Sequence, residues 1–317
     1  MRVVFLGTPE TALPSLHAIL AAGHDVSLVC TQPDRPVGRS KAPQASPVKE
    51  FALARHLRVI QPEKVRTPQF VQTLLDEAPD VLVVVAYGRI LTRPVLDAAR
   101  HGAVNLHFSI LPAFRGAAPV QWTLARGEIE TGVTTFRIDE GLDTGDVLGQ
   151  RRVAIVPGEH SPALLGRLAA EGATLLVETL GGLAAGSMTP KPQDHTQATA
   201  APILTREDGR WDPEWTARQL EGRVRGFDPW PGVWAARAGK RLRIVGAAAV
   251  AGVRAAADPG TILSLDAEGL RMACGGGTVA IVDSVQPEGG RAMGVREAVN
   301  GRLLGPGDRI ERTEPAA

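Results

Sequence analysis

The chain has 317 residues, of which 44% are hydrophobic and 22% are charged, and its formal net charge is +1. This length and composition are typical of a globular protein with two domains, each with its own hydrophobic core. The near-neutral charge excludes a general attraction to nucleic acid, so any polyanion has to be bound by local basic patches.

Targeting and cysteine patterns favour the cytoplasm. No apolar run reaches the roughly 18 residues that a membrane-spanning helix needs, and Met1–Gly7 enters a strand pattern with no signal-peptide layout. The cysteines, Cys30 and Cys274, lie far apart and form no C-x-x-C pair, which argues against a disulfide scaffold and a zinc site. We therefore expect a cytoplasmic protein that does not bind a membrane.

Strand and helix signals alternate through the first half of the chain. The predicted strands are Val3–Gly7, Val26–Cys30, Val81–Ala86, Ala103–Ser109, Thr131–Asp139 and Val147–Ile155. The predicted helices are Pro9–Ala22, Pro47–His56, Pro68–Ala78, Pro119–Ala125 and Ser161–Gly186. Val81–Ala86 is continuously apolar, which is typical of a central parallel strand covered on both faces. The alternation predicts an α/β fold with a Rossmann-like, doubly wound, mostly parallel sheet.

The composition then changes. Thr189–Thr199 contains prolines and several polar residues and is predicted as part of a linker, and Pro213–Phe227 is predicted as one amphipathic helix. The predicted strands that follow are Gly232–Ala238, Arg241–Val250, Gly260–Leu265, Gly269–Cys274 and Thr278–Val285. Short strands with glycine turns predict a small closed β-barrel, OB-like in type. We expect an α/β domain over 1–188, a linker over 189–204 and the OB-like domain over 205–317.

Polar residues alternate along one predicted strand of the α/β domain. Asn105, His107 and Ser109 stand at every second position, directly before Ile110-Leu111-Pro112. Successive side chains of a strand point to opposite faces, so these three are expected on one face. A buried amide and a buried imidazole each cost about 1–3 kcal/mol if they lack hydrogen-bond partners. The pattern therefore favours a functional site over a core.

A second polar group is the Asp- and Gly-rich stretch Asp139–Asp146. Taken alone it is typical of a strand connection, because Asp and Gly tolerate turn geometry, and it lacks the residue order of an EF-hand. Ligands of open α/β sheets bind at the carboxyl ends of strands, and this stretch follows another strand of the same sheet. We therefore expect Asp143 to face His107 across the crevice.

These residue types favour acyl transfer. A carboxylate beside an imidazole favours the protonated ring and orients it, and an amide with an imidazole donates hydrogen bonds to a carbonyl oxygen that gains negative charge. Ser109 lacks the G-x-S-x-G elbow of a nucleophile, and His107 has no second ligand at metal-binding spacing. The turn Gly7-Thr8-Pro9-Glu10 lacks the dinucleotide fingerprint. We therefore expect direct transfer between two bound substrates, with no metal and no NAD.

The run Asn105-Leu106-His107-Phe108-Ser109-Ile110-Leu111-Pro112, with Asp143, resembles the N-x-H-x-S-L-L-P … D signature of the 10-formyltetrahydrofolate-dependent formyltransferases. Other stretches resemble the branch of that family that acts on initiator methionyl-tRNA. They are Phe5–Pro9, Thr31–Arg39, Ser46–Lys49, Val83–Gly88, Arg115–Pro119, Glu130–Thr134, Gly141–Asp146 and Phe227–Pro231. The resemblance covers nearly the whole chain, in the family's order, and implies a sheet of the formyltransferase type.

The resemblance implies a catalytic set of Asn105, His107 and Asp143. In the implied reaction the methionyl amine attacks the formyl carbon on N10 of 10-formyltetrahydrofolate, the co-substrate. Asn105 and His107 then stabilise the tetrahedral oxyanion, while Asp143 orients His107 and helps to move protons. The residues expected to bind the folate are Ser109, Ile110, Leu111, Pro112, Val85, Ala86, Tyr87 and Leu142. The implied product is N-formylmethionyl-tRNA, which serves translation initiation.

The insertion Arg35–Lys49, taken alone, is typical of a mobile, solvated loop. In the family this loop enters the acceptor stem of the initiator tRNA, where phosphate contacts and a few placed side chains bind it. The implied tRNA contacts are Arg39, Lys41 and Arg35 in the loop and Lys240, Arg241 and Arg243 in the barrel, where acidic and basic residues otherwise nearly balance. For Trp230 and Trp234 we favour core packing over base stacking.

Three positions depart from the family pattern. Phe108 stands where a small residue is usual, and alternation directs it away from the catalytic face, into packing. Ile110 replaces a leucine, which is nearly isosteric. Gly38-Arg39-Ser40-Lys41-Ala42 stands where R-G-K-K is usual, and this change affects tRNA docking more than the chemistry.

Two other functions stay open at this point. One is a folate-dependent formyltransferase for a small amine or a nucleotide-linked amino sugar, and the other is a tRNA-binding protein with a degenerate catalytic domain. The barrel and the Arg35–Lys49 loop argue against the first, and intact Asn105, His107 and Asp143 argue against the second. We expect a monomer whose partners are the initiator methionyl-tRNA and the folate, with no binding of DNA.

Overall fold

The computed structural model describes residues 1–36 and 42–313. Contacts divide the chain into two compact units. Unit 1 comprises Met1–Gly116, Glu130–Ala154 and Leu165–Ala200, and unit 2 comprises Ala117–Ile129, Ile155–Leu164 and the chain from Ala201 onward. Two internal segments therefore group with the C-terminal part of the chain, whereas the predicted domains are continuous in sequence. The boundaries at residues 188 and 205 stay a prediction.

The regular elements are eight helices and fifteen strands within the described residues. The helices are α1 Leu13–Ala21, α2 Pro47–Ala54, α3 Pro68–Asp76, α4 Arg93–Leu96, α5 Pro119–Ala125, α6 Ser161–Ala184, α7 Ala217–Gly226 and α8 Val295–Asn300. The first strands are β1 Arg2–Gly7, β2 Asp25–Cys30, β3 Arg35–Pro36, β4 Pro43–Gln44, β5 Val59–Ile60, β6 Val81–Val85, β7 Ala103–His107, β8 Glu130–Arg137 and β9 Val147–Ala154. The remaining strands are β10 Val233–Arg237, β11 Lys240–Arg254, β12 Ile262–Leu265, β13 Leu270–Ala273, β14 Thr278–Pro287 and β15 Met293–Gly294.

Unit 1 contains one seven-stranded sheet with the order β5-β2-β1-β6-β7-β8-β9. Neighbouring strands from β5 to β7 run parallel, whereas β8 is antiparallel to both β7 and β9. All five residues of β6 are buried, as expected for a strand covered on both faces. The predicted doubly wound, mostly parallel sheet is confirmed.

The strand order reverses between β1 and β6, which makes this pair the topological switch point of the sheet. Their last residues, Gly7 and Val85, are register partners. In open α/β sheets, ligands bind in the crevice outside the carboxyl ends of the strands at such a point. The segments that follow β1, β6 and β7 therefore define the edge where a site is expected.

Caps explain where several helices begin. The Oγ atom of Ser46 accepts a hydrogen bond from Lys49 N before α2, and the Oγ1 atom of Thr67 accepts one from Phe70 N before α3. The predicted helix Pro9–Ala22 is wrong at its start, because a 3₁₀ turn over Glu10–Ala12 precedes α1. Within residues 1–36 and 42–313, no helix has the length and apolar character needed to cross a membrane.

Unit 2 is built around an antiparallel sheet with the order β10-β11-β14-β13-β12. The segment 307–311 joins the two edge strands. Ala236 of β10 exchanges hydrogen bonds of 2.8 and 2.7 Å with Glu311, and Ile262 of β12 donates through its backbone N to Asp308 O at 2.8 Å. These bonds close the sheet, so the predicted small C-terminal β-barrel is confirmed.

Helix α7 lies in unit 2 and is shorter than the predicted helix Pro213–Phe227. It begins at Ala217 because Thr216 and Gln219 form a capping box, in which each side chain accepts a hydrogen bond from the other residue's backbone N. The buried side of α7 contributes Leu220 and Val224 to the core of the barrel. Helix α8 was not predicted.

Candidate active site

Strand β7 carries Asn105 and His107 on one face, and it ends at His107. Ser109 was predicted within the strand, but it lies in the turn that follows. Its Oγ atom donates to Ala113 O at 2.6 Å, and its carbonyl oxygen accepts from Thr134 Oγ1 at 2.7 Å. The hydroxyl of Ser109 is thus bound within the turn, and its carbonyl oxygen is bound by a side chain of β8. The backbone ladder of β7 therefore stops before Ser109.

The imidazole of His107 is buried. Its Nε2 atom lies 2.9 Å from Phe114 O, and a carbonyl only accepts, so Nε2 carries a proton. The ring packs edge-on against Phe136, with 6.5 Å between centroids. The Nδ1 atom is therefore the ring nitrogen left for chemistry.

Asp143 lies opposite that nitrogen. Its Oδ2 atom is 3.7 Å from His107 Nδ1 and accepts a hydrogen bond of 2.8 Å from Gly116 N. Asp143 has a φ of +54°, in the left-handed region that costs a non-glycine residue energy. The surrounding loop has to hold this backbone conformation for the carboxylate to face the ring.

The loop 139–146 is held from within. Asp139 Oδ1 accepts from Gly141 N at 3.0 Å and from Thr144 Oγ1 at 2.7 Å. Gly145 has no room for a side chain, because a Cβ atom there would overlap the Arg137 carbonyl oxygen. These contacts give the Asp- and Gly-rich sequence a specific structural role, in addition to its general tolerance of turns.

Asn105 differs from His107 in having no hydrogen-bond partner for its side chain among the residues that the structure describes. It is half-buried on the face of β7 that it shares with His107. An amide in this position keeps its two N–H groups for a ligand. Phe108, on the other side of the chain, is buried, in agreement with the packing expected for it.

The residues predicted to bind folate after β6 differ in exposure. Val85 is buried at the strand end, Ala86 is exposed with a φ of +48°, and the ring of Tyr87 is buried in the core of unit 1. The Tyr87 carbonyl oxygen accepts from Gln32 Nε2 at 2.9 Å, and burial raises the pKa of the Tyr87 hydroxyl. A ligand could therefore contact Tyr87 only through its backbone.

The predicted residues after β7 form a tight turn. Leu111 is buried, its N donates to Thr134 Oγ1 at 3.1 Å, and its carbonyl oxygen accepts from Gln150 Nε2 at 2.7 Å. Ile110 and Pro112 are half-buried. Leu142, in the loop 139–146, is 67% exposed. This turn and this loop flank His107 and Asp143 respectively.

A cavity of about 470 Å³ lies along the loop 139–146. Its apolar lining includes Leu96, Ala103 and Ile138, and its polar lining includes Arg93, Arg137 and Glu140. The lining mixes charged and apolar side chains, so it offers both polar contacts and apolar surface to a small molecule. No sequence pattern pointed to this cavity, because its lining comes from four separate segments.

Sequence reasoning also missed Gln193 and Arg115. Gln193 is 7% exposed, and its Nε2 atom donates to the carbonyl oxygens of Asp143 at 2.9 Å and Gly145 at 2.8 Å. Arg115 donates to Gln193 Oε1 from Nη2 at 2.7 Å. Gln193 lies in the predicted linker, where a glutamine carries no signal of a site.

Family comparison identifies the chain. A family described as "Formyl transferase" matches residues 1–180, and one described as "Formyl transferase, C-terminal domain" matches residues 203–303. The chain belongs to the formyltransferase family.

The curated relatives match over nearly their full length. The methionyl-tRNA formyltransferase of Acidobacterium capsulatum is 49% identical, over 98% of this chain and 99% of its own. The methionyl-tRNA formyltransferase of Myxococcus xanthus is 47% identical, over 97% of each chain.

Solved formyltransferase structures share the fold at lower identity. The N-formyltransferase of Helicobacter canadensis, in complex with folinic acid and dTDP-3-aminofucose, is 17% identical, with a TM-score of 0.65 over 88% of this chain and 98% of its own. The glycinamide ribonucleotide transformylase 1 of Symbiobacterium toebii is 22% identical, with a TM-score of 0.51 over 61% and 94%.

Of the residues predicted to contact tRNA in the loop of this formyltransferase, Arg39 and Lys41 lie outside the described residues. Arg35 is exposed in β3, which pairs with β4. Next to it, Asp34 accepts from Lys49 Nζ at 2.7 Å and from Gln61 Nε2 at 2.6 Å. The hydrogen bond with Lys49 holds the pKa of the Asp34 carboxyl below its usual range.

The three predicted contacts in unit 2 have different surroundings. Lys240 is exposed where β11 begins, and the Arg241 guanidinium lies 5.7 Å from the centroid of the Trp234 ring. Arg243 is paired with Asp228, with 3.2 Å between Nη2 and Oδ1. Within residues 1–36 and 42–313, Lys240 alone of these three has a side chain without a partner, so the three do not form one uniform basic patch.

The two tryptophans also differ. Trp234 is half-buried and donates from Nε1 to Pro231 O at 2.6 Å, as expected for a packing role. The packing prediction is wrong for Trp230, whose side chain is 56% exposed and leaves most of its surface open.

Among residues 1–36 and 42–313, no three His, Cys, Asp or Glu side chains are grouped to hold a metal ion. The expected absence of a metal stays a prediction. Cys30 and Cys274 are buried, and burial raises the pKa of both thiols, that of Cys274 to about 12.

Proposed function

We propose that this protein transfers the formyl group of 10-formyltetrahydrofolate to the amino group of the methionyl residue on initiator methionyl-tRNA. The observation that carries the proposal is the buried His107, with Asp143 opposite its free nitrogen and Asn105 on the same strand face. Relatives with the name methionyl-tRNA formyltransferase align over 97–98% of the chain, which supports this acceptor. The protein would act in the cytoplasm, where translation begins.

The first chemical step is attack of the methionyl nitrogen on the formyl carbon. A C–N bond forms, and the formyl oxygen gains negative charge in the tetrahedral intermediate. The N–H groups of Asn105 and a protonated Nδ1 of His107 supply hydrogen bonds to that oxygen. Fixed donors in a water-poor site stabilise developing charge strongly, because they need no reorganisation during the reaction.

The second step breaks the bond between the formyl carbon and N10 of the folate. The attacking nitrogen loses a proton, and N10 gains one as it leaves. Asp143 Oδ2 lies 3.7 Å from His107 Nδ1, so a water or the amine itself, beside the pair and within hydrogen-bond reach of both atoms, would relay the proton. We assign to Asp143 the orientation of His107 and this proton transfer.

The folate would lie at the switch-point edge of the sheet. The backbone after β6, from Val85 to Tyr87, and the turn Ser109–Pro112 border this edge. Two large apolar side chains, Ile90 and Leu142, are 70% and 67% exposed there. Apolar side chains on loops beside a polar site gain free energy when a flat ring system covers them. The cavity along the loop 139–146 offers further space for the folate.

The tRNA would contact both domains. We assign the first contact to Arg39, supported by Lys41 and Arg35 in the loop that follows β2. In the barrel we assign contacts to Lys240, to Arg241 and to Arg243, whose guanidinium also pairs with Asp228. The proposed division is a formyltransferase domain over 1–188, a linker over 189–204 and a tRNA-binding domain over 205–317.

The test uses the purified protein, 10-formyltetrahydrofolate and charged initiator tRNA, with formylmethionine measured after the ester is hydrolysed. Parallel reactions contain free methionine, an amino-sugar nucleotide or glycinamide ribonucleotide as acceptor. We expect transfer to the tRNA and none to the small amines. Transfer to a small amine without transfer to the tRNA would overturn the proposal, and Arg39→Ala with unchanged KM and kcat for tRNA would refute the loop assignment.

A further inference from the structure

One buried amide lies directly behind the catalytic loop. Gln193 reaches the loop 139–146 with its Nε2 atom, which donates to Asp143 O at 2.9 Å and to Gly145 O at 2.8 Å. Its Oε1 atom accepts from Arg115 Nε at 3.2 Å and Nη2 at 2.7 Å. Both donors and both acceptor sites of the amide are therefore used.

The chemistry of these four bonds selects an amide at residue 193. Carbonyl oxygens need donors, and a guanidinium needs an acceptor, so the orientation of the side chain is determined by its partners. A glutamate would set a carboxylate oxygen against two carbonyl oxygens, and a methionine would leave them without a partner. An unsatisfied buried polar group costs about 1–3 kcal/mol, which the loop would avoid by moving.

The loop backbone at Asp143 would relax if nothing held it. Asp143 has a φ of +54°, which is unfavourable for a non-glycine residue. Gln193 binds the carbonyl group of this same residue, so its hydrogen bond opposes relaxation of the strained backbone. On the other side of the loop, Asp143 Oδ2 accepts from Gly116 N. Asp143 is thus held at its carboxylate by Gly116 and at its backbone carbonyl group by Gln193.

The segment that carries Gln193 belongs to unit 1 and is held there by backbone hydrogen bonds. Lys191 exchanges two backbone hydrogen bonds of 2.8 Å with Val147. Thr199 accepts from Phe114 N through Oγ1 at 2.8 Å and from Arg115 N through its carbonyl oxygen at 2.8 Å. Phe114 is also the residue whose carbonyl oxygen accepts from His107 Nε2. The segment 191–199 therefore contacts the supports of both His107 and Asp143.

From these contacts we infer that Gln193 is a positioning residue of formyl transfer, which holds the Asp143 carboxylate opposite His107 Nδ1. The inference rests on the proposed function for its chemical consequence. Gln193 touches neither substrate in this role and acts through Asp143 alone. The predicted linker is thereby part of the active-site framework.

The kinetic test compares Gln193→Met and Gln193→Glu with Gln197→Met. Gln197 lies on the same segment and is exposed, and its side chain donates to Asp194 Oδ2 at 2.8 Å, away from the loop 139–146. We expect both Gln193 variants to lose about 10²-fold in kcat, with KM for folate and tRNA unchanged, and the Gln197 variant to match the wild type. In an Asp143→Asn background, Gln193→Met should cost little more, because residues that act through each other are non-additive.

A second measurement does not depend on activity. Hydrogen–deuterium exchange of the peptide covering Asp139–Asp146 should be faster in Gln193→Met than in the wild type and in Gln197→Met. Unchanged exchange would overturn the positioning role, and so would wild-type kcat or a loss that adds in full to that of Asp143→Asn. A wild-type protein that formylates no tRNA would refute the proposed function, while the exchange experiment would still decide the role of Gln193 in the loop.

Discussion

His107 Nδ1 and Asp143 Oδ2 face each other at 3.7 Å, which is longer than a hydrogen bond. Each residue is held from its other side, His107 by Phe114 O on Nε2 and Asp143 by Gly116 N on Oδ2. The pair is therefore fixed at a separation that leaves Nδ1 without a direct partner. A group that lies beside the pair, within hydrogen-bond reach of both atoms, can exchange a proton with either.

The first prediction concerns Asp143→Asn. The amide can still accept from Gly116 N, so the loop keeps its conformation, but it removes the negative charge and the proton acceptor opposite His107. We expect kcat to fall by about 10²–10⁴, with the KM for folate nearly unchanged. The measurement is steady-state formylation of initiator methionyl-tRNA. Asp76→Asn, at an exposed carboxylate at the end of α3 that accepts from Gln72, is the matched control, and a similar loss in both variants would contradict the assignment.

The second prediction separates activity from stability at Asn105. Its side chain has no hydrogen-bond partner in the described part of the chain, so Asn105→Ala breaks no intramolecular bond. We expect the melting temperature to stay close to that of the wild type, while kcat falls by about 10²–10³, as when one oxyanion donor is removed. Thermal denaturation and kinetics on the same preparation check both. A large drop in melting temperature would indicate a structural role for Asn105 instead.

The strand pattern accounts for what the sequence could predict of the site. Alternation in a strand has a period of two, so Asn105 and His107 had to share a face. The expectation that ligands bind at the carboxyl ends of strands then directed attention to the loop with Asp143. The structure brings that loop to His107 by another route, because β8, which precedes the loop, runs antiparallel to β7 and ends beside Val104. The shared face of Asn105 and His107 could therefore be derived from residue order, whereas the approach of Asp143 to His107 could not.

Contacts between distant segments explain what the sequence could not predict. Gln193 is 50 residues from Asp143 along the chain, and nothing in a polar, proline-containing stretch indicates that its amide is buried. Ser109 continues the alternating pattern of β7 in the sequence, yet it lies in the turn, where its hydroxyl donates a hydrogen bond to Ala113 O. Helix α7 begins where Thr216 and Gln219 form a capping box. The hydrophobic pattern of the sequence continues beyond both ends of this helix, so the pattern could not indicate where the helix begins.

The third prediction concerns the thiols. Cys30 and Cys274 are buried, and the loss of solvation raises the pKa of both, so neither is a thiolate at pH 8. Because the thiolate is the reactive form, we expect no fast reaction of the native protein with a disulfide reagent at this pH. Both thiols should react once the chain is unfolded in guanidinium chloride. Rapid reaction of one thiol in the native protein would contradict the burial of that cysteine.

The fourth prediction distinguishes two cations of unit 2. Lys240 is exposed, so Lys240→Ala should weaken tRNA binding and leave the melting temperature unchanged. If its ammonium binds one phosphate, the slope of log K against log salt should decrease by about 0.7–0.9. Arg243→Ala removes one of the two side chains that pair with Asp228, the other being His160, and should lower stability by roughly 1–2 kcal/mol, typical of a lost hydrogen bond to a charged group. Binding titrations at several salt concentrations and thermal melts check the pair. Equal effects of the two variants on both properties would contradict this distinction.

The fifth prediction compares two glycines at which substitution by alanine should change the stability of the protein in opposite directions. Gly145 has a carbonyl oxygen of Arg137 where the Cβ of an alanine would lie, so Gly145→Ala has to displace the loop that carries Asp143. Gly166 lies exposed within α6, and nothing is within 4 Å of its added Cβ.

Alanine is the better helix former at Gly166, because glycine loses more backbone entropy on folding. We therefore expect Gly166→Ala to stabilise the protein by about 0.5–1 kcal/mol with unchanged kcat, and Gly145→Ala to lower both stability and kcat. Urea denaturation provides the free energies of unfolding, and the formylation assay provides kcat. If Gly145→Ala kept full activity, the loop could shift without moving Asp143, and the close fit between the loop and Arg137 would have no part in catalysis.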